Sequence, residues 1–232
     1  MVPEREALPD ALAAAALRSD GWRLLLGGAY TSVAVGSLPA AVEVAATAVG
    51  VCGSDSVHLR LDLRPDRVYL VLRTPGSSQL GRLDAMLAAR ISALVGELGL
   101  ATEPGAGGAV RPVQALEVAV DAFDIPAVLP FRRAVFGYVV ETRPVAEGQE
   151  LIVVDPVGQG PTVWFQQLDA PRSQRNRIHF DLTIAEDEAE VRIAAAMAAG
   201  GRLVRDTEAR AFWVLADPEG NEVCICTWQD RD

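Results

Sequence analysis

Residues 177–184, with the sequence R-I-H-F-D-L-T-I, place an imidazole and a carboxylate two positions apart. Successive side chains of an extended strand point to opposite faces, so His179 and Asp181 lie on the same face. The other face carries only apolar residues, which is typical of a strand packed against a core. A strand face that carries both an imidazole and a carboxylate can hydrogen-bond a polar ligand.

A second pair of chemically active side chains lies near the end of the chain. Cys224 and Cys226 are two residues apart in a predicted strand, 222–228, and therefore share a face. Two thiols in this geometry can chelate a soft metal, whereas free cysteines are also commonly packed as small hydrophobic side chains. The packing interpretation is favoured, because C-x-C alone is a weak signal.

A third polar face is predicted for residues 162–166, where Thr162, Trp164 and Gln166 alternate with apolar residues. An aromatic ring beside a few polar groups suits a small organic ligand. Together with His179 and Asp181, these residues predict a ligand pocket. The alternative is that Trp164 fills the interior and leaves no cavity.

Two units of the same architecture position these residues. The second unit reads as a strand (177–184), a helix (186–199) and three strands (203–204, 211–216 and 222–228), with a D-P-E-G-N turn at 217–221. The first unit begins at Glu117 and repeats the turn at Asp155. The spacing from Glu117 to Asp155 is 38 residues, as it is from His179 to Asp217. We therefore predict a repeated β-α-β-β-β module, since neither copy could bury its sheet face alone.

The repeated module resembles the vicinal oxygen chelate superfamily of glyoxalase, bleomycin-resistance and dioxygenase proteins. The resemblance extends from about residue 112 to the end of the chain, and it implies a half-open barrel around one shared pocket. The residues that carry it are Glu117, Phe131 and Gly137 in the first module, and His179, Gly200 and Asp217–Asn221 in the second.

The resemblance also implies where a metal would bind. Glu117 and His179 match two of the four ligand positions of metal-dependent members, and the other two fall near Gln166 and on Cys224. One carboxylate and one imidazole make a weak site for zinc, manganese or iron, and glutamine is a poor ligand. We therefore predict no metal, with Glu117 and His179 as the ligands if one binds, and the cofactor is unknown.

The N-terminal half contains the other histidine, His58, and a carboxylate at the start of a helix, Asp84. The order α-β-β-α-β-β-α over residues 8–98, with Trp22 and the sequence Leu72-Arg73-Thr74, resembles pterin-4a-carbinolamine dehydratase. The resemblance implies His58 and Asp84 as catalytic residues, because dehydration needs proton transfer near neutral pH. Two further positions that carry histidine in the family are Val57 and Pro75 here. We therefore predict an inactive dehydratase-like domain.

The charge and cysteine content of the chain limit the classes of binding partner and the compartment that we expect. The chain has 232 residues, a net charge of −10 and three cysteines. The acidic balance disfavours nucleic acid, and the few cysteines fit a reducing compartment. The segment between the modules contains Arg172, Arg175 and Arg177. We predict a solvent-exposed loop there, and the alternative is that the arginines contact an anionic substrate. No apolar segment is recognised as membrane-spanning, so a cytoplasmic location is expected.

The predicted fold class is α+β with two domains. Residues 1–103 form the dehydratase-like domain, and 113–232 form the glyoxalase-like domain with modules 113–168 and 177–228. The linker, 104–112, is rich in glycine. The leading hypothesis is a protein that binds a small organic ligand. The alternatives are a metal-dependent lyase, isomerase or dioxygenase, a 4a-hydroxytetrahydrobiopterin dehydratase, or a homo-oligomer assembled through the N-terminal domain.

Overall fold

A computed structural model describes residues 6–105, 112–146, 148–172, 174 and 176–231. The chain divides into two units. Unit 1 comprises residues 1–115 and 142–149, and unit 2 comprises residues 116–141 and 150–232. Most of the predicted linker, at 106–111, lies outside the described residues. The protein mixes helices and sheets, as the predicted α+β class requires.

Unit 1 packs helices against one sheet, in the strand order β1-β2-β4-β3, with β5 paired to β2. The observed element order from α1 to α3 is α-β-β-α-β-β-α, although element order alone does not identify a family. The elements are α1 (Asp10–Ser19), β1 (Arg23–Leu25), β2 (Gly28–Ala34), α2 (Leu38–Cys52), a 3-10 helix (Gly53–His58), β3 (Leu59–Leu63), β4 (Arg67–Leu72), α3 (Arg82–Glu97) and β5 (Thr102–Glu103).

Helical periodicity explains how α3 docks on the unit 1 core. Leu87, Ile91 and Val95 recur every four residues and are buried, so one stripe of the helix faces the sheet. Trp22 is fully buried beside this helix, and its indole Nε1 donates a hydrogen bond to Ser92 Oγ at 2.8 Å. The polar end of the ring is therefore satisfied inside the core.

The prediction of a strand over 57–63 was wrong at its start. His58 ends a 3-10 helix, and β3 begins at Leu59. Gly53 ends α2 with a positive φ of 51°, which redirects the chain into a 3-10 turn before it can extend. His58 therefore approaches the core from a helical turn and not from the sheet.

One segment among the described residues, Leu38–His58, is long and apolar enough to cross a membrane by length and composition. The sequence reading overlooked it, because α2 and the following 3-10 turn together make 21 residues. Its residues Ala41, Val44 and Ala48 are fully buried in the core of unit 1. Core helices pass the same test, so this segment is weak evidence for a membrane span.

Two further four-stranded sheets are ordered β6-β9-β8-β7 and β10-β13-β12-β11. They belong to unit 2, except for the parts of β7 and β8 between residues 142 and 149, which are grouped with unit 1. The first module is β6 (Glu117–Ala122), α4 (Ile125–Phe136), β7 (Val139–Val145), β8 (Gly148–Val154) and β9 (Thr162–Gln167). The second is β10 (Phe180–Thr183), α5 (Ala189–Ala198), β11 (Arg202–Arg205), β12 (Phe212–Ala216) and β13 (Glu222–Cys226).

The two modules share the element order β-α-β-β-β that the 38-residue spacing predicts, and the structure shows that their strand orders also correspond. In each, the first strand pairs in parallel with the last. The predicted boundaries were too wide in the second module. Residues 186–188 form a turn before α5, and β13 ends at Cys226. The half-open barrel stays a prediction.

The helix of the first module contributes to the core of the second. Phe131 of α4 is fully buried with Leu215 and Ile225, which belong to β12 and β13. Gly201 permits this packing, because a Cβ built there would lie 2.5 Å from two Phe131 ring carbons. The two modules therefore share one apolar cluster.

The D-P-E-G-N turn also contacts the first module. Glu219 accepts hydrogen bonds from the backbone N–H groups of Phe123, at 3.0 Å, and Asp124, at 2.6 Å. These residues immediately precede α4, where a carboxylate is favourable for the helix dipole. The turn at 217–221, which the sequence predicted only as a hairpin turn, therefore also binds the start of α4.

Candidate functional site

A cleft of about 770 Å³ opens on the sheet of the second module, and all of its lining residues lie between His179 and Arg231. Strand alternation explains which side chains face it. His179 immediately precedes β10 and Asp181 lies on that strand. Cys224 and Cys226 line the cleft from β13, and the neighbouring β12 contributes its apolar residues Phe212 and Val214.

The parallel pairing of β10 with β13 brings three potential ligand side chains together. Asp181 lies directly opposite Cys224 in the ladder, and His179 Nε2 is 3.3 Å from Asp181 Oδ1. The imidazole nitrogen, carboxylate oxygen and sulfur of these residues all lie within 4.8 Å of one another. The His179 and Asp181 side chains are 46% and 62% exposed, so a ligand in the cleft can reach both.

The two thiols that line the cleft, those of Cys224 and Cys226, are protonated at neutral pH. Burial, with the hydrogen bond and charge of Asp181, raises the pKa of Cys224 to about 12. Burial also raises the pKa of Cys226, and the Asp181 carboxylate adds to this. At neutral pH Cys224 is therefore a weak donor to Asp181, and a thiolate forms only if a cation replaces the proton.

Ion pairs border the cleft. Arg205 Nε lies 3.1 Å from Glu208 Oε2. Arg210 donates through Nε and Nη2 to the two carboxylate oxygens of Asp230, each at 2.9 Å. The sequence did not predict that these charged residues, or Arg231, lie at the cleft. The local pattern of the C-terminal segment does not indicate which part of the sheet it lies against.

The other predicted ligand residues lie on the sheet of the first module. The parallel register of β6 with β9 pairs Glu117 with Thr162, Ala119 with Trp164, and Asp121 with Gln166. Gln166 is thus opposite a residue four positions from Glu117, which is about 13 Å along a strand.

The structure therefore does not bring Glu117 and Gln166 together as neighbouring ligands. Of the six predicted ligand-binding residues, the second-module cleft gathers His179, Asp181 and Cys224.

In unit 1 the two predicted catalytic residues are in direct contact. His58 Nδ1 lies 2.7 Å from Asp84 Oδ1, and both side chains are buried. The other carboxylate oxygen, Oδ2, accepts hydrogen bonds from Thr74 Oγ1 at 2.7 Å and from the Gly81 backbone N–H at 2.9 Å. Both carboxylate oxygens are thus occupied. Asp84, the third residue of α3, thus stabilises the start of the helix by accepting from the N-cap residue Gly81, in addition to its contact with His58.

Sequence reasoning also missed Arg132, which is 2% exposed and forms an ion pair with Asp217, with Nη2 to Oδ2 at 3.0 Å. The pair of adjacent arginines, Arg132 and Arg133, within the otherwise apolar α4 was the available signal. Of the three loop arginines, Arg172 and Arg177 line a second cavity with Arg132, and Arg175 lies outside the described residues.

The two β-α-β-β-β modules lie in the part of the chain that matches a known class of domain. Residues 117–226 match the family model described as a glyoxalase-like domain. No curated protein matches the chain.

Solved structures similar to about half of the chain include proteins of the glyoxalase, bleomycin-resistance and dioxygenase family. The fosfomycin resistance protein FosX from Mesorhizobium loti is 11% identical, covering 49% of this chain and 91% of its own, with a TM-score of 0.40. A glyoxalase/bleomycin resistance protein/dioxygenase family enzyme from Burkholderia phytofirmans is 19% identical, covering 48% and 95%, with a TM-score of 0.39.

Proposed function

We propose that the glyoxalase-like domain binds a small organic ligand in the second-module cleft. The observation that supports this is the grouping of His179, Asp181 and Cys224 beside the apolar residues of β12. A concave site of this size with a few convergent polar groups is typical of small-molecule sites. Phe212 takes the role of aromatic wall that the sequence suggested for Trp164.

Each polar group has a defined task in this proposal. His179 donates or accepts one hydrogen bond according to its tautomer, and Asp181 accepts from a ligand hydroxyl or amine. Cys224, protonated and buried, lines the cleft beside them. Val214 and Phe212 supply the apolar contact that favours an organic molecule over water.

Ligand binding is tested on natively purified protein by extraction and mass spectrometry, followed by calorimetry with any recovered compound. His179→Gln and Asp181→Asn should each weaken its binding about tenfold, as loss of a good polar contact does. Asp187→Asn is the matched control, because Asp187 is exposed and does not line the cleft. A compound that the two cleft variants bind unchanged would exclude the cleft.

A second candidate is a zinc-dependent enzyme on the same three side chains. Imidazole, carboxylate and thiolate suit Zn²⁺. The 3.3 Å separation of His179 Nε2 and Asp181 Oδ1 is close to the edge of a tetrahedron with bonds of about 2.0–2.1 Å. This donor set differs from the pairing of Glu117 with His179 that the sequence suggested. A zinc ion with an open position would supply a Lewis acid at the cleft.

Metal analysis separates the two candidates. For the zinc candidate, protein purified without chelators should contain close to one equivalent of zinc, and Cys224→Ser should lose it. Cys52→Ser is the control, since Cys52 is buried in unit 1. A metal content below about a tenth of an equivalent, measured with no chelator present, would reject the metalloenzyme and leave the organic-ligand proposal standing.

For unit 1 we infer that dehydratase chemistry is absent. The contact between His58 and Asp84 supports a residual acid–base pair, but Val57 and Pro75 cannot transfer protons. Turnover of a 4a-hydroxytetrahydropterin by the unaltered protein would overturn this inference. If the inference is correct, the unaltered protein should show no turnover, and the double variant Val57→His with Pro75→His should show detectable turnover.

A further inference from the structure

Arg132 lies inside unit 2 with two of its nitrogen atoms unused. Nη2 donates to Asp217 Oδ2 at 3.0 Å. Within the described part of the chain, buried Nε and Nη1 have no hydrogen-bond acceptor. Leaving donors of a buried charged group unpaired is costly. Burial also lowers the pKa of Arg132, and the charge of Asp217 only partly opposes this.

The D-P-E-G-N turn does not require an arginine for its own geometry. Asp217 Oδ1 already accepts from the backbone N–H groups of Glu219, at 3.0 Å, and Asn221, at 2.9 Å. The corresponding turn of the first module is completed by backbone groups, since Asp155 accepts from the N–H groups of Val157, Gln159 and Gly160. Arg132 is therefore additional to the repeat architecture.

A cavity of about 350 Å³ adjoins Arg132. Two arginines of the loop between the modules, Arg172 and Arg177, also line it, and so does Asn176, which donates from Nδ2 to Asn221 Oδ1. The volume is within the range of small-molecule sites. Three arginines therefore line this cavity: Arg132 is buried, and Arg172 and Arg177 are exposed.

Carboxylates line the cavity as well, namely Asp121, Glu219 and Glu222. Glu219 is already occupied, because its two oxygens accept the N–H groups of Phe123 and Asp124. The cavity is thus lined by three arginines and three carboxylates. Its distinguishing residue is the buried Arg132, two of whose donors have no hydrogen-bond acceptor among the described residues, and such donors are best satisfied by a charged acceptor.

We propose that this cavity binds a small oxyanion, a carboxylate or phosphate group, with Arg132 as its central donor. The anion would complete the hydrogen bonding of Arg132, and Arg172 and Arg177 would attract it to the entrance. This site is separate from the donor cluster of His179, Asp181 and Cys224.

The test measures the binding of inorganic phosphate and of malonate to the full chain by calorimetry, in chloride at matched ionic strength. Arg132→Lys should weaken the affinity about tenfold or more, because it removes the planar set of donors. Arg177→Ser should weaken it about two- to fivefold, as expected for an exposed charge. Arg133→Gln is the control: Arg133 is the exposed neighbour on α4, and its loss should change nothing.

Each outcome decides the proposal. Tighter binding of phosphate or of malonate identifies the group recognised, and loss of that binding in Arg132→Lys and Arg177→Ser supports the site. Absence of binding of both anions to the unaltered protein overturns it. Equal loss in Arg133→Gln also overturns it, because a nonspecific charge effect would then explain the signal. Arg177→Ser keeps the test valid if the Arg132 variant does not fold.

Discussion

Arg132 of α4 and Asp217 of the turn before β13 form a buried ion pair between the two modules, 85 residues apart in sequence. Both side chains are at most 2% exposed. The pair sits beside the contact of Glu219 with the start of α4. Two interactions thus hold α4 against the second module. Glu219 accepts hydrogen bonds from the residues that precede the helix, and Arg132 within the helix pairs with Asp217.

Asp217→Asn should lower the free energy of unfolding by about 3–5 kcal/mol, because it leaves the buried Arg132 charge uncompensated. Chemical denaturation measures this. Asp187→Asn, an exposed change of the same kind, should stay within about 0.5 kcal/mol. In a double-mutant cycle with Arg132→Met, the combined loss should be smaller than the sum of the two. A purely additive cycle would contradict a direct pair.

Gly201→Ala should destabilise the protein by about 1–3 kcal/mol, because the new methyl group would overlap the Phe131 ring. Gly96→Ala is a matched control in helix α3, where an added Cβ has no neighbour within 4 Å. That change should be neutral or stabilise by up to about 1 kcal/mol, because alanine is the better helix former. Equal melting temperatures of the two variants would argue against the close packing at Gly201.

The turn of the first module should show a specific pH dependence. Burial raises the pKa of Asp155, but backbone N–H groups, with Gly160 first, lower it more, so the net shift is downward. The folded pKa is thus below the unfolded value. The stabilisation is present above the unfolded pKa, about 4, and is lost as the pH falls through the folded pKa.

Comparison of the unaltered protein with Asp155→Asn checks this. The difference in unfolding free energy should be largest near neutral pH and should shrink below about pH 4. A difference that grows on acidification would have the wrong sign. Asp187→Asn, the same substitution at an exposed position, is the control for the loss of one negative charge.

Cys224 should react slowly with iodoacetamide in the native protein, because its pKa of about 12 leaves almost no thiolate at neutral pH. Asp181→Asn removes a carboxylate that raises this pKa, so the modification rate at fixed pH should increase. Mass spectrometry of peptides that contain Cys224 and Cys226 separates the sites. Unchanged reactivity in Asp181→Asn would mean that the burial alone protects the thiol.

The repeat was predictable because it is a matter of spacing along the chain. Equal distances from Glu117 to Asp155 and from His179 to Asp217 fix the turns, and glycine fixes the ends of α3 and α4. The faces of His179, Asp181 and Cys224 follow from strand alternation alone. These are local properties, so one sequence suffices to predict them.

Other features depend on contacts that the chain does not encode locally. The distance of Gln166 from Glu117 depends on the register of β6 with β9, which a single sequence leaves undetermined. His58 entered a 3-10 turn because Gly53 redirects the chain. The pairing of Arg132 with Asp217 spans the two modules, and neither segment alone carries a signal for it.

The position of Phe131 has a consequence for how unit 2 is assembled. Its ring fills a space beside Gly201 that the second module leaves open. If the two modules were separated between Gln167 and Phe180, one would expose the Phe131 ring and the other would have an unfilled space beside Gly201. The core of the second module is therefore completed by the helix of the first module, so the second module depends on the first for its packing.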